Sequence, residues 1–213
     1  MSYPASLQKL IDLFTKFPGI GPRQAARLAF FITKDENSLA ESLASALIQV
    51  KEKTVICKNC FRTMEKNLKD LLVCSTCLSP GRNKTIITII EKEADLINLE
   101  KSGSYNGLYH LLGGVISPLD SDSPRKLKLR EMFDRIKDIL EGQGQAEIIL
   151  ATNPTTEGDT TALYIERVLL PLKNKYPRLV ISRLARGLSL GSELEYADET
   201  TIKSALDNRT QRT

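Results

Sequence analysis

The four cysteines of the chain fall between residues 57 and 77. They form two C-x-x-C pairs, Cys57 with Cys60 and Cys74 with Cys77, and thirteen residues separate the pairs. Four thiolates at this spacing suit tetrahedral zinc, and four sulfur ligands leave no open position for water or substrate. The pattern therefore predicts one structural zinc ion per chain. Free or redox-active cysteines are the alternative interpretation.

The stretch FPGIGPRQAARLAFF, residues 17–31, places Gly19 and Gly21 between two apolar helical patterns. Glycine permits a turn with positive φ, and the helix after the turn offers free N–H groups and a dipole that favours an anion. Arg23 and Arg27 lie four residues apart on that helix, so we expect both side chains to bind successive phosphates. The string resembles the helix-hairpin-helix motif of DNA repair proteins. A plain helical hairpin with solvated arginines is the alternative.

Acidic residues follow two of the predicted strands. Glu91 ends the first strand of an α/β region, and Glu157 follows a later strand, so both lie where open parallel sheets keep their sites. This arrangement resembles the Toprim domain of topoisomerases, primases and small nucleases, in which a glutamate and a D-x-D pair hold magnesium. Asn153 and Thr155 occupy the two aspartate positions here. The resemblance therefore implies a Toprim fold without a competent magnesium centre.

Three interpretations of these acids are open from the sequence. Glu91, Glu157 and Asp159 would form a rearranged metal site in a Toprim nuclease or primase. Alternatively, the acids are solvated or favour a helix dipole, or they form an acidic face that binds a basic protein. The lone His110 has no neighbouring pattern typical of a nucleophilic triad, so we expect it to be packed or hydrogen-bonded.

Hydrophobic periodicity predicts the elements that position these residues. The apolar stripe from Leu7 to Phe14 predicts a first helix, and Pro22 fits the first position of a second. Ser38 and Glu41 match a capping box, which predicts a third helix whose apolar stripe comprises Leu39, Leu43, Ala46, Leu47 and Val50. From residue 85 onward, β-rich and helical segments alternate, with strands expected at 85–91, 109–117, 146–152 and 179–185. This alternation predicts βαβ units and a mostly parallel sheet covered by helices.

The composition of the 213-residue chain, 41% hydrophobic and 26% charged, is typical of a soluble globular protein and excludes wholesale disorder. The net charge of +4 is compatible with a nucleic-acid partner, and basic residues are concentrated before residue 31. No secretory signal or membrane-spanning segment is recognisable, so the cytoplasm is the expected compartment.

The expected fold class is an α/β chain of several modules. We expect a helical domain with the helix-hairpin-helix at 1–54, a zinc-binding module at 55–82 and a Toprim-like domain with a mostly parallel sheet at 83–185. The remaining segment, 186–213, is expected to contribute to subunit contacts.

The order of these modules resembles the RecR family of bacterial recombination mediators. The strings LYHLLGGVISPLD (108–120), ILATNPTTEGDTTALYI (149–165) and SRLARGLSLGSELEYADETTI (182–202) extend the resemblance over essentially the whole chain. It implies a ring-shaped tetramer without enzymatic activity. Such a ring acts as a clamp on single- or double-stranded DNA and works with RecO and RecF to load RecA on single-stranded gaps coated with SSB.

The resemblance also implies roles for individual residues. Gly19, Gly21, Arg23 and Arg27 become DNA contacts, and an acidic face toward RecO comprises Glu91, Asp95 and Glu157. Two features depart from the family pattern: the loop between the cysteine pairs is longer than usual, and EKEAD (91–95) lacks the proline often found after the family's first-strand glutamates. A Toprim enzyme and a pure protein-interaction scaffold are the alternatives.

Overall fold

The computed structural model of the chain describes residues 3–34, 38–66, 71–185, 187–188 and 191–209. The chain divides into two compact units, Met1–Thr54 and Val55–Thr213. Within the described ranges, no helix combines the length and apolar character that crossing a membrane requires.

The first unit contains three helices, α1 (Ala5–Phe14), α2 (Pro22–Thr33) and α3 (Leu39–Lys53). Leu7 and Ile11 of α1 pack against two alanines of α2, Ala25 and Ala29. The small alanine side chains allow the two helices to approach closely, because no bulky group separates their backbones. The predicted first two helices are confirmed, with Pro22 at the first position of the second.

The predicted capping box of the third helix is wrong. Ser38 has a left-handed backbone with φ of 58°, and its side chain makes no capping hydrogen bond. A capping residue normally has an extended backbone, which directs its side-chain oxygen at the amides of the first turn. The expected apolar stripe of α3 is also not buried within the single chain, since Leu47 and Val50 are 58% and 60% exposed.

The second unit begins with the cysteine pairs. Strands β1 (Thr54–Ile56) and β2 (Thr63–Glu65) form a two-stranded sheet that frames the first pair. The short helix α4 (Ser75–Leu78) begins after Cys74 and carries Cys77. The two pairs are therefore held on separate local turns that face each other. Residues 67–70, in the long loop between the pairs, lie outside the described residues.

A four-stranded parallel sheet forms the centre of the second unit. Its strands are β3 (Ile86–Ile90), β4 (Leu108–Leu111), β5 (Ala146–Ala151) and β6 (Leu179–Arg183), in the spatial order β4-β3-β5-β6. Ile87 is in register with Leu108 on one side and with Ile148 on the other. The chain leaves β3 toward β4 and later returns to its other side for β5, which opens a crevice at their carboxyl ends. The predicted parallel sheet is confirmed.

Helices cover both faces of this sheet. They are α5 (Glu93–Lys101), the short α6 (Ser123–Lys126), α7 (Leu129–Gln143) and α8 (Thr156–Lys175). The larger core packs α7 and α8 against the sheet, through residues such as Met132, Ile136 and Ile165. A smaller core, which we call the β4-side cluster, comprises Ile90, Leu96, Tyr109, Leu111 and Ala151.

The predicted last helix, α9 (Glu199–Asp207), is present in the C-terminal segment. The Asp198 carboxylate caps it by accepting hydrogen bonds from the Thr201 amide and hydroxyl, at 2.9 and 2.6 Å. Residues 186, 189–190 and 210–213 of that segment lie outside the described residues. The predicted boundaries of the modules stay predictions.

Candidate functional site

The four cysteines converge at one buried point of the second unit. Cys57, Cys60, Cys74 and Cys77 bring their sulfur atoms within 4.8 Å of one another. The Sγ atoms of Cys60 and Cys74 are 3.6 Å apart. A tetrahedral zinc ion with Zn–S distances of about 2.3 Å separates its sulfur ligands by about 3.8 Å. The described geometry therefore fits a tetrahedral metal ion bound by four sulfurs.

The four thiols share their protons unequally: the pKa values of Cys57 and Cys74 are lowered, and those of Cys60 and Cys77 are raised. Hydrogen bonds from the thiols of Cys60, Cys74 and Cys77 lower the pKa of the Cys57 thiol. The backbone amide of Cys74 also donates to the Cys57 sulfur at 3.3 Å, which orients this ligand across the two pairs. All four side chains are buried, so the site offers no open coordination position for a substrate.

The glycine hairpin lies in the first unit, between α1 and α2. Gly19 has φ of +80°, a conformation that other residues adopt only under strain, so the turn requires glycine there. Gly21 has an ordinary φ of −81° and precedes α2 as its N-cap. Open space surrounds the Cβ position of both glycines within the described part of the chain. The backbone of the hairpin is thus accessible to a ligand.

The start of α2 presents donors and positive charge. Pro22 has no N–H, and the amides of Arg23 and Gln24 have no hydrogen-bond partner in the ranges that the structure describes. The Arg23 and Arg27 side chains are exposed and make no ion pair there either. Free amides and unpaired guanidinium groups at one helix start favour the binding of phosphate oxygens.

The acidic edge of the sheet is organised around Glu91. This side chain is only 6% exposed, and one carboxylate oxygen accepts the Asn153 backbone amide at 2.6 Å. The other oxygen accepts the side-chain amide of Asn153. Gly158 closes the arrangement, since a Cβ atom on it would lie 2.0 Å from the Asn153 carbonyl oxygen and 3.0 Å from Glu91 Oε1. Asn153 thus binds the Glu91 carboxylate, which the Toprim resemblance would assign to a metal ion.

The remaining acids of this region do not form a common site. Glu157 is exposed on the first turn of α8, where Thr155 caps the helix by accepting the Gly158 amide at 3.1 Å. Asp95 accepts the Lys92 amide at 3.1 Å at the start of α5. Asp159 pairs with Arg183 at 2.6 Å. Across the described residues, no three carboxylates converge as the cysteines do.

Burial of Glu91 corrects the expectation that it belongs to an exposed partner-binding face. Its two oxygens are directed into the protein and satisfied by Asn153, so a partner does not reach them without displacing that residue. Asp95 and Glu157 are the members of the predicted acidic face that retain exposed surface.

His110 is a packed residue, as expected from its sequence context. Its side chain is fully buried, and Nε2 lies 2.9 Å from the Lys128 carbonyl oxygen. Burial lowers the pKa of His110 to about 4, so the ring is neutral at physiological pH. A neutral Nε2–H donates to the carbonyl, and the ring serves packing.

The sequence did not predict the structural contacts of two arginines. Arg183, at the end of β6, pairs with Asp159, and Arg135 of α7 donates to the carbonyl oxygens of Asn59 and Tyr109, each at 2.7 Å. The partners of Arg135 are far away in sequence, so no local pattern marks them. The only feature of the sequence that could have pointed to Arg135 is its position next to Ile136, a residue on the buried face of the amphipathic helix α7.

Comparison with known proteins identifies three matching regions. A family model for the RecR helix-hairpin-helix matches residues 7–51, a Toprim domain model matches 85–185, and a RecR C-terminal model matches 187–210. A protein of Chlorobium chlorochromatii named recombination protein RecR is 44% identical over 213 residues, which cover 99% of both chains. Proteins with the same name from Chlorobaculum tepidum and Cutibacterium acnes are 43% and 42% identical. These alignments cover 96% of both chains for Chlorobaculum tepidum, and 97% of this chain and 96% of the relative for Cutibacterium acnes.

Proposed function

The chain belongs to the RecR family of recombination proteins, and we propose that it acts in recombination and repair as a DNA-binding mediator without enzymatic activity. In this proposal it binds single- and double-stranded DNA without sequence preference. It works with RecO, and with RecF, to load RecA on single-stranded gaps coated with SSB. The cytoplasm is the proposed compartment.

The observation that carries the proposal is the start of α2. Gly19 makes the turn, two amides of the first helical turn lack partners in the described chain, and Arg23 and Arg27 are exposed on the same helix. We propose that Gly19 and Gly21 let a DNA backbone approach while the arginines bind its phosphates. Contacts of this kind hold DNA in place but do not read its bases.

A clamp also requires assembly, and a ring-shaped tetramer is the proposed form. The exposed apolar residues of α3, among them Leu47, Ile48 and Val50, support self-association, because water-exposed apolar surface of this kind usually marks an interface. The C-terminal segment 186–213 is a second proposed contributor to subunit contacts.

The arrangement around Glu91 supports the absence of catalysis. Phosphoryl transfer by a Toprim enzyme needs several carboxylates around magnesium. Here Asn153 binds both oxygens of Glu91, and Arg183 neutralises Asp159. Metal-dependent cleavage or synthesis of DNA that Glu91→Ala abolishes would contradict this part of the proposal.

We propose that the cysteine cluster holds one structural zinc ion. Cys57, Cys60, Cys74 and Cys77 would bind it, and the ion supplies folding energy, since all ligand positions are taken by sulfur. The RecO-facing surface is proposed to use the half-buried Asp95 and the exposed Glu157, whose negative charges complement a basic partner.

DNA binding by a charge-reversal pair tests the central proposal. The variant Arg23→Glu/Arg27→Glu is compared with wild type at two salt concentrations, on single- and double-stranded probes. Arg167→Glu/Lys173→Glu is the matched control, because it makes the same change of net charge on exposed positions of α8. Zinc content and oligomeric mass are measured on each sample.

We expect the α2 variant to lose most of its DNA affinity and the α8 control to retain it, with zinc content and mass unchanged in both. Equal losses in the two variants would show that net charge alone governs binding. Undiminished binding by the α2 variant would overturn the proposed role of the hairpin.

A further inference from the structure

The outer edge of the parallel sheet, at strand β4, contacts the turn that carries the first cysteine pair. β4 is an outer strand of the described sheet, with β3 as its neighbour on one side. An outer strand presents backbone N–H and C=O groups that no further strand satisfies, and proteins cover or protect such groups. The Leu112 amide donates to the Ile90 carbonyl of β3, so the alternate residues Tyr109 and Leu111 direct their backbone groups outward.

The first cysteine turn, residues 57–63, covers part of this edge, and we call it the first knuckle. The Leu111 amide donates to the carbonyl oxygen of Cys60 at 2.9 Å. One nitrogen of the Arg135 guanidinium lies 2.7 Å from the Tyr109 carbonyl and 2.7 Å from the Asn59 carbonyl, so it bridges the strand and the knuckle. The carbonyls of Cys60 and Asn59 are thus tied to β4, the first directly and the second through Arg135.

Side chains of the knuckle are anchored in the same place. Phe61 has a left-handed backbone with φ of 64°, and its ring packs on the β4-side cluster and edge-on against His110, with centroids 5.2 Å apart. The Thr63 amide donates to the Glu93 carboxylate at the start of α5. The knuckle is therefore fixed to the edge of the sheet through residues 59–61 and to α5 through Thr63.

We infer that the metal ion at the four cysteines keeps the β4 edge of the Toprim sheet covered, with Arg135 as the residue that positions the knuckle on the strand. This inference rests on the proposed zinc site. The turn around Cys57 and Cys60 keeps its shape because both sulfurs bind the same ion, and that shape places the Cys60 and Asn59 carbonyls at β4 and Arg135. Metal binding and edge cover are linked, so weakening either one weakens the other.

The first test weakens the edge contact and measures the metal. Arg135→Ala removes the bridge but leaves every cysteine in place, and Arg130→Ala is the control, since that side chain is 93% exposed on the same helix. Zinc content is measured first, and release of the ion to a chromophoric chelator is then followed over time. We expect full zinc content in all proteins but release at least about tenfold faster from Arg135→Ala, because two charge-assisted hydrogen bonds are lost.

Arg135→Lys separates positioning from simple packing. A lysine restores a positive donor near both carbonyls, so release from this variant should fall between that of Arg135→Ala and that of wild type. Release from Arg135→Ala at the rate of the Arg130→Ala control would overturn the inference.

The second test removes the metal and measures the edge. Hydrogen exchange is compared between the zinc-loaded and the chelated full chain, with the Leu111 amide as the reporter and the amides of the central strand β5 as internal reference. We expect chelation to abolish the protection of the Leu111 amide from hydrogen exchange, while the amides of β5 are still protected. Equal protection of Leu111 with and without metal would overturn the inference.

These outcomes are separate from those of the proposed function. A purified chain without metal at the cysteines would remove the proposed zinc site itself. A zinc-loaded chain whose Arg135→Ala variant behaves as the control would leave the zinc site standing and refute the coupling alone. Neither readout depends on DNA binding.

Discussion

Gly158→Ala is the change that most directly tests the packing around Glu91. Gly158 lies in the first turn of α8, where an added Cβ would come within 2.0 Å of the Asn153 carbonyl oxygen and 3.0 Å of Glu91 Oε1. Neither neighbour can rotate away freely, because the first is backbone and the second is bound by Asn153 through two hydrogen bonds. The start of α8 and the residues after β5 must therefore separate to admit one methyl group.

The expected change in the free energy of unfolding combines two destabilising effects and one stabilising effect. Carbon and oxygen normally stay about 3 Å or more apart, so the backbone must shift by about 1 Å, and overpacking of this kind costs about 1 to 3 kcal/mol. A weakened hydrogen bond to the Glu91 carboxylate adds about 1.5 to 3 kcal/mol. Alanine in a helix gains back at most about 1 kcal/mol relative to glycine. We expect a net loss of about 1.5 to 5 kcal/mol in the free energy of unfolding.

Gly142→Ala is the matched control. Gly142 also lies in a helix, α7, but apart from the backbone of its own helix and its chain neighbours, no atom of the described residues lies within 4 Å of the position that its Cβ would take. The same substitution there should be neutral or stabilise the fold by up to about 1 kcal/mol. The two variants thus share the helix-propensity change and differ only in the space available.

Urea unfolding followed by tyrosine fluorescence measures the difference in the second unit. The chain has no tryptophan, and five of its six tyrosines lie in Val55–Thr213, so the signal reports mainly on that unit. All samples are zinc-loaded full chains. A Gly158→Ala midpoint equal to that of Gly142→Ala would refute the close packing of Gly158 on Asn153, and with it the account of why Glu91 is closed off.

Three further predictions concern other parts of the chain. Arg23→Ala/Arg27→Ala should reduce the slope of log affinity against log salt on duplex DNA by about 1.8 per chain. Between 50 and 200 mM salt, wild type should therefore lose about tenfold more affinity than the variant. Equal slopes would exclude phosphate contacts by these residues. Burial lowers the pKa of His110 from 6.5 to about 4, so the unfolded chain binds the proton more readily and stability should fall by about 2 kcal/mol between pH 8 and pH 5. His110→Gln, unfolded in urea at both pH values, should lack that part of the pH dependence. Thr155→Ala removes the cap of α8 and should cost about 1 kcal/mol in urea unfolding, and no change would show that the bond to Gly158 is not formed.

The sheet and the convergence of the four cysteines were predictable because their signals are local. Buried parallel strands are nearly continuous apolar runs, as in IITII at Ile86–Ile90, and C-x-x-C pairs fix the ligands within a few residues. The order of helices and strands then implies the parallel sheet and places the ends of β3 and β5 side by side.

The failures of sequence reasoning concern geometry that no local pattern carries. Ser38 has the right residue type for a cap, but its left-handed backbone turns the side chain away from the first-turn amides. Glu91 and Asn153 are 62 positions apart, so the sequence places both at one edge of the sheet without showing that one binds the other. The contacts of Arg135 with Asn59 and Tyr109 form only where the first knuckle packs against β4. No periodic pattern in the sequence predicts them.

The position of the first knuckle in the chain has a consequence for synthesis on the ribosome. The last cysteine precedes Leu111 by 34 residues, which corresponds to about 2 to 7 s of translation. With the proposed zinc ion bound, the first knuckle can close in that interval, before β4 emerges, and β5 follows later still. A nascent β3–β4 pair would otherwise have two open edges and a risk of pairing with neighbouring chains. Early closure of the knuckle on the proposed zinc ion leaves only one open edge. We therefore expect zinc supply during translation to affect the yield of folded protein more than zinc added afterwards.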